Sequence, residues 1–143
     1  MAERTGLTAF WSRKVLGEAV RFGIVGALNV AFNTASIVIL TELFHLHYIF
    51  SYLIVFAAAT LIGFSLNRSW SFGIVDGEAR KDLFRYVSFT TVTLVVAITG
   101  IRFLDMIFGN YVVAVAIVSA LLAPVNFIVH RTWSFGQPFR RAG

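Results

Sequence analysis

Residues 63–73 read Gly63-Phe-Ser-Leu-Asn67-Arg68-Ser-Trp70-Ser-Phe-Gly73, and the pattern returns at residues 126–136 as Asn126-Phe-Ile-Val-His130-Arg131-Thr-Trp133-Ser-Phe-Gly136. Each copy closes a long apolar segment with an arginine, a tryptophan and a glycine. Aromatic rings favour the membrane interface and arginine reaches lipid phosphates, so this combination is typical of a helix that leaves the hydrocarbon core. The pattern therefore predicts an internally duplicated membrane protein, with Trp70 and Trp133 as interface anchors.

The composition also indicates a membrane protein, because 58% of the 143 residues are hydrophobic and only 13% are charged. A soluble domain of this size cannot bury so much apolar surface, and the mean hydropathy is +0.81. Four charge-free stretches can cross about 30 Å of hydrocarbon, the third if Arg102 snorkels outward; they are residues 22–41, 43–67, 86–101 and 106–130. We therefore expect an all-α protein with four transmembrane helices in a single membrane domain, residues 1–143.

The helices are expected to form two similar hairpins. Residues 1–20 predict a short amphipathic helix on the membrane surface, since Leu7, Trp11 and Val15 recur every four residues among charged ones. The transmembrane helices are predicted at residues 21–43, 48–67, 83–108 and 111–130, with a polar linker at residues 73–82. Both hairpins start on the same side of the membrane, so they are predicted to be parallel repeats.

The basic residues predict the orientation. Of the 12 lysines and arginines, only Arg102 falls toward the side that faces away from the termini. By the positive-inside rule, both termini and the linker are expected in the cytoplasm, which makes this a multi-pass protein of the cytoplasmic (inner) membrane. The net charge of +5 brackets apolar spans, so we expect anionic lipid headgroups and no nucleic acid as its partner. The chain has no cysteine.

The chain resembles the GtrA-like family of small four-helix membrane proteins over residues 18–136. The resemblance lies in residues 22–29, Phe-Gly-Ile-Val-Gly-Ala-Leu-Asn, and in the two repeated segments at residues 67–72 and 126–135. It implies a role with polyprenyl-phosphate-linked sugars, either in moving them across the membrane or as a partner of a glycosyltransferase of the family-2 type. Two departures stand out: Asn33 replaces a frequent acid, which disfavours a mechanism needing a carboxylate there, and Gly63-Phe64 replaces a frequent Asn-Phe.

A lipid-phosphate site is predicted at the cytoplasmic helix ends. Arginine pairs with phosphate through two parallel charged hydrogen bonds, and an arginine lies at this end of every helix. The predicted site comprises Arg21, Asn67, Arg68, Arg85, His130 and Arg131. The alternative is that these cations only anchor the helices. The phosphate reading is favoured for Arg68 and Arg131, because each belongs to a fixed repeated motif.

Polar residues deeper in the membrane predict a path for a sugar headgroup. Asn29 lies roughly 12 Å and Asn33 roughly 18 Å beyond Arg21 along the first helix, and Asn126 lies just inside the second motif. Arg102 either receives a headgroup on the far side or pairs with Asp105. The alternative for the amides is hydrogen bonding between helices, and small residues on the opposite face of the first helix leave a homo-oligomer open.

These residues favour a transporter over an enzyme. There is no nucleophile with a paired base, no phosphate-binding glycine loop and no metal-ligand constellation, so no cofactor or metal is expected. The preferred function is flippase-like movement of a polyprenyl-phosphate-linked sugar for cell-surface polysaccharide synthesis. The alternative is a non-catalytic subunit that presents lipid substrate to a glycosyltransferase. A small multidrug antiporter is disfavoured, because the first helix has no acid between Arg21 and Glu42.

Overall fold

The computed structural model describes residues 13–137. This range contains four helices long and apolar enough to cross a membrane, and it contains no strand. They are α1 (Arg13–Val38), α2 (Tyr48–Leu66), α3 (Ala79–Phe108) and α4 (Tyr111–Val129). Short π-helical turns extend three of them, at Ile39–Leu43, Asn67–Ser71 and His130–Ser134. The all-α fold with four membrane-spanning helices is therefore confirmed.

The helices form two compact units, each an antiparallel pair. Hairpin 1 contains α1 and α2 and ends at Asp76, and hairpin 2 begins at Gly77 and contains α3 and α4. In each hairpin the first helix begins and the second helix ends on the same side. We call this side the basic end and the opposite side the turn end. The repeated sequence segment lies at the basic end of its own hairpin.

The separate amphipathic helix is not supported. Residues 1–12 lie outside the described residues, and residues 13–20 form the beginning of α1, without a break before Arg21. Contacts at helical spacing favour this continuity, because Arg21 Nε donates to the Gly17 carbonyl at 3.2 Å and Lys14 Nζ lies 4.0 Å from the Glu18 carboxylate. The first membrane helix therefore includes residues 13–20 of its basic segment.

The linker between the hairpins is shorter than the sequence suggests. α3 begins at Ala79 instead of residue 83, so residues 79–82 are helical. Alanine, arginine and lysine are good helix formers, and the acidic Asp82 in the first turn stabilises the positive end of the helix dipole. Polarity marked these residues as linker, although helix propensity decides their conformation.

Small residues let the helices of each hairpin pack closely. The buried positions of α2 and its extension recur every fourth residue: Ser51, Val55, Ala59, Gly63, Asn67 and Ser71. In α4 and its extension the buried residues include Ala114, Val118, His130 and Ser134. In hairpin 2 a β-carbon on Gly100 would lie 3.3 Å from Val118 Cγ2, so the two helices nearly touch there. Association through small residues is typical of helices in lipid, which provides no hydrophobic drive between them.

Candidate functional site

Each repeated segment ends its helix in the same way. The amide of Phe72 donates to the Asn67 carbonyl and that of Phe135 to the His130 carbonyl, both at 2.9 Å, which widens the last turn into a π-turn. Gly73 and Gly136 then take φ values of +63° and +61°. This left-handed conformation favours glycine and stops the helix. The final glycine of each sequence repeat is therefore a helix terminator.

Arg68 and Arg131 hold the chain that leaves each π-turn. The Arg68 carbonyl accepts from the Ile74 amide at 2.8 Å, and its guanidinium donates to the carbonyls of Ile74 at 3.2 Å and Asp76 at 3.0 Å. Arg131 does the same with Gln137: its carbonyl accepts from the Gln137 amide at 2.8 Å, and its Nη1 donates to the Gln137 carbonyl at 2.7 Å. Each arginine thus binds both backbone groups of the residue six positions on. The two strongest sequence candidates for the phosphate therefore have a backbone role as well.

The arginines of α1 and α3 bind the same π-turns from the other helix of their hairpin. Arg21 Nη1 donates to the Trp70 carbonyl at 3.1 Å, and Arg85 Nη1 donates to the Trp133 carbonyl at 3.2 Å. Carbonyls in the last turn of a helix lack partners within the helix, and a cation there also stabilises the negative end of the helix dipole. The tryptophan carbonyls thus set the position of both guanidinium groups.

Arg21 and Arg85 keep donors that the described residues do not use. Arg21 Nη2, and Nε and Nη2 of Arg85, make no hydrogen bond within residues 13–137. Both side chains belong to half-buried residues, and the Arg85 guanidinium carbon lies 6.0 Å from the centre of the Trp133 ring. Each guanidinium is therefore held in place on one side and able to donate on another.

Asn67 and His130 lie inside the turns. The Ser71 hydroxyl donates to Asn67 Oδ1 at 2.9 Å, and the Ser134 hydroxyl lies 3.0 Å from His130 Nδ1. Both are buried, as are their serine partners. The His130 ring also stacks on Tyr86, with centroids 4.3 Å apart. These contacts give both residues a structural role within their own hairpin.

The polar residues predicted along the headgroup path differ between the hairpins. In hairpin 2, Thr93 Oγ1 donates to Asn126 Oδ1 at 3.2 Å. In hairpin 1, Asn33 Nδ2 donates to the backbone carbonyl of Asn29 at 2.9 Å, and the side chain of Asn29 makes no hydrogen bond with any described residue. Asn29 and Asn33 are both half-buried.

At the turn ends the structure has simple caps. His47 Nδ1 accepts from the Ile49 amide at 3.4 Å, and Asn110 Oδ1 accepts from the amides of Val112 and Val113 at 3.0 and 3.2 Å. Arg102 is exposed and forms no ion pair with Asp105 in the described structure. Side-chain pairing therefore does not account for this arginine.

Sequence reasoning missed two acidic residues at the basic ends. Glu18 lies three residues before Arg21, and Asp82 lies three residues before Arg85. Glu18 is buried and Asp82 is half-buried, in a region where the sequence suggested only cations. The sequence repeat could have identified these two acids, because aligning Arg21 with Arg85 places Glu18 opposite Asp82.

One of the comparisons with known proteins identifies the family of the chain. The family model described as GtrA/DPMS, transmembrane domain, matches residues 21–135. No curated protein and no solved structure gives a significant match to the chain. The match spans both hairpins, beginning at Arg21 and ending one residue before the terminating Gly136. The chain therefore belongs to the GtrA/DPMS transmembrane-domain family, whose membrane proteins are linked to lipid-linked sugar processes.

Proposed function

We propose that this protein binds the phosphate of a polyprenyl-phosphate-linked sugar at the basic ends of its hairpins and moves the lipid across the membrane. The observation that carries the proposal is the arginine arrangement built twice, in which Arg21 and Arg85 are fixed by a tryptophan carbonyl and keep unused donors. A phosphate oxygen accepts charged hydrogen bonds from such donors. The headgroup would then follow the polar residues of the helices.

The proposal divides the predicted phosphate residues by role. In each hairpin the arginine of the first helix, Arg21 or Arg85, contacts a phosphate at its own basic end, because its guanidinium group is half-exposed and keeps unused donors. Arg68 and Arg131 hold the chain after each π-turn, and Asn67 and His130 hold the turn from within. Arg68 and Arg131 add positive charge beside the phosphate, so they support binding even without direct contact.

The proposed orientation of the protein in the membrane follows from the positive-inside distribution of its lysines and arginines. The basic ends face the cytoplasm in this account, together with both termini and residues 73–78, in the inner membrane. The protein forms and breaks no covalent bond, so it needs no catalytic residue. Consumption of the lipid-linked sugar on the far side drives net movement.

A second function is favoured by residues 74–76. Arg68 holds the carbonyls on either side of Val75, and the Val75 side chain is 87% exposed. An apolar side chain held outward at the basic end is a contact point for another protein, because fixing the backbone lowers the entropy lost on binding. In this alternative the protein is a non-catalytic subunit that presents lipid substrate to a glycosyltransferase.

Binding of farnesyl phosphate to the purified protein in detergent tests the phosphate site. Arg21→Gln and Arg85→Gln are each expected to weaken binding by about 1.5–3 kcal/mol, the scale of a hydrogen bond to a charged group, or roughly 10- to 100-fold in Kd. Arg21→Lys is expected to recover part of the loss, since lysine keeps the charge but lacks the planar fork. Isothermal titration calorimetry measures all three.

Arg80→Gln is the matched control, because Arg80 is exposed in the first turn of α3 and makes no hydrogen bond with the described residues. It should bind farnesyl phosphate like the parent, and farnesol, which lacks the phosphate, should bind weakly to every variant. Parent-like affinity in folded Arg21→Gln and Arg85→Gln proteins would show that the phosphate site lies elsewhere.

A further inference from the structure

The sequence repeat gives the helix residues near the basic end of hairpin 1 counterparts in hairpin 2. Aligning Arg21 with Arg85 pairs Asn29 with Thr93, each eight residues farther along its helix. Aligning Arg68 with Arg131 pairs Gly63 with Asn126, each five residues earlier. The two hairpins can therefore be compared position by position at the same depth from their basic ends.

At this depth a side-chain hydrogen bond joins the two helices of hairpin 2, and no such bond joins those of hairpin 1 within the described residues. Thr93 and Asn126 join α3 to α4 through a hydrogen bond of 3.2 Å. In hairpin 1 the counterpart of Asn126 is Gly63, which has no side chain, and the amide of Asn29 has no hydrogen-bond partner among the described residues. The link between helices that stabilises hairpin 2 is thus missing from hairpin 1.

An unpaired amide is costly at the depth of Asn29. The residue lies about 12 Å along the helix from Arg21, at 1.5 Å per residue, which places it inside the hydrocarbon region of a spanning helix. No water is available there unless the protein provides it, and an unsatisfied polar group in lipid is strongly disfavoured. The Asn29 amide, which is half-buried, therefore needs water or a ligand group such as a sugar hydroxyl.

We infer that the hairpins have separate tasks: Asn29 of hairpin 1 binds hydroxyl groups of the passing headgroup, and the Thr93–Asn126 pair of hairpin 2 is a structural lock. The inference rests on the proposed function and narrows it to one half of the molecule. An amide both donates and accepts hydrogen bonds, which matches a hydroxyl. Asn126, which the sequence predicted to lie on the headgroup path, instead belongs to this structural lock.

Two substitutions at equivalent positions test the inference. Asn29→Leu and Thr93→Val are purified, and each is assayed for Tm in detergent and for uptake of a water-soluble ten-carbon isoprenyl phosphoglucose into sealed liposomes. Asn29→Leu is expected to keep the parent Tm and to lower uptake about fivefold, the scale of the loss of one hydrogen bond to the moving group. Thr93→Val is expected to lower Tm and to keep parent uptake per folded molecule. Thr34→Val, at an exposed hydroxyl that bonds only its own helix, should change neither.

The opposite pattern overturns the inference. If Thr93→Val loses uptake per folded molecule as Asn29→Leu does, or if Asn29→Leu is destabilised but fully active, the hairpins do not have separate tasks. If the parent itself shows no uptake above that of protein-free liposomes, transport fails and the inference fails with it. Both variant results leave transport by the parent protein, and so the proposed function, standing, whereas the absence of parent uptake does not; the two kinds of failure are therefore distinguishable.

A second measurement does not depend on transport or on the folding of Asn29→Leu. Because the chain has no cysteine, Asn29→Cys and Thr93→Cys each carry a single thiol. A water-soluble methanethiosulfonate reagent should modify Asn29→Cys in liposomes at least about tenfold faster than Thr93→Cys. The reason is that only the thiolate reacts and thiolates form in water. Equal rates at the two positions contradict the inference.

Discussion

Ser51 and Ala114 occupy equivalent positions near the turn ends, each in the first turn of the second helix of its hairpin. Both residues are completely buried. An alanine side chain has no polar atom to satisfy at such a position, whereas the Ser51 hydroxyl has no hydrogen-bond partner within residues 13–137. A buried hydroxyl without a partner costs free energy that an alanine does not.

Ser51→Ala is therefore expected to stabilise the protein by about 1 kcal/mol, the low end of the penalty for an unsatisfied buried polar group. The change copies the residue that hairpin 2 already has at this position. Thermal unfolding of the purified protein in detergent should show a higher Tm. Ser65→Ala is the control, because Ser65 is exposed and bonds the Leu61 carbonyl of its own helix; a lower Tm for Ser51→Ala than for Ser65→Ala would contradict the argument.

The residues of the candidate site were predictable by type, but their hydrogen bonds were not. The repeat alone identifies Arg68 and Arg131 as paired residues, because the same motif surrounds both. Their bonds to backbone groups six residues on depend on the π-turn and on the left-handed glycine, neither of which has a distinct sequence period. The burial of Glu18 was hidden for a different reason, since residues 1–20 were expected to lie on the membrane surface as a separate amphipathic helix.

At the scale of elements, the two π-turns explain why the repeated motif ends in glycine. The helix widens at Asn67–Ser71 and at His130–Ser134, and the next residue but one takes a positive φ. An L residue in the left-handed region costs about 1–2 kcal/mol. The arginine contacts to the following chain depend on this change of direction.

Gly73→Ala and Gly136→Ala are each expected to lower the free energy of unfolding by about 1 kcal/mol through backbone strain alone. An added β-carbon meets no atom within 4 Å at either position, so there is no steric contribution. Gly23→Ala is a matched control, because its β-carbon also meets nothing within 4 Å and its backbone is helical. It should be neutral or stabilising. Chemical denaturation in mixed micelles measures the three values, and equal effects at all three positions would contradict the strain argument.

The element boundaries show where sequence patterns are informative in a membrane protein. Charge-free length predicted all four spans, because crossing the hydrocarbon requires it. Charge did not predict the helix starts: α1 extends back at least to Arg13 and α3 to Ala79, since residues outside the hydrocarbon still continue a helix. The turn ends were simpler, as Asn110 caps α4 directly after Gly109, which adopts a φ of +60°.

At the scale of the whole molecule, duplication followed by divergence is the central feature. The basic ends retain the same arginine, tryptophan and glycine contacts, whereas the membrane-depth pair of Thr93 and Asn126 in hairpin 2 has Asn29 and Gly63 as counterparts in hairpin 1. The duplication was evident from sequence, because both motifs keep the arginine and the final Trp-Ser-Phe-Gly. The hydrogen bond between Thr93 and Asn126 was not, since neither periodicity nor motif indicates which polar side chains are paired. Cytoplasmic termini stay a prediction of the positive-inside rule.

Transport by the protein alone is the central claim, and uptake by liposomes that contain only the purified protein tests it most directly. The probe is the ten-carbon isoprenyl phosphoglucose, added outside sealed vesicles with no glycosyltransferase present. We expect uptake well above that of protein-free vesicles, and we expect this uptake to be lost when Arg21→Gln and Arg85→Gln are combined. Uptake at the protein-free rate, from a preparation that still binds farnesyl phosphate, would contradict transport and favour the role of a subunit that presents lipid to a transferase.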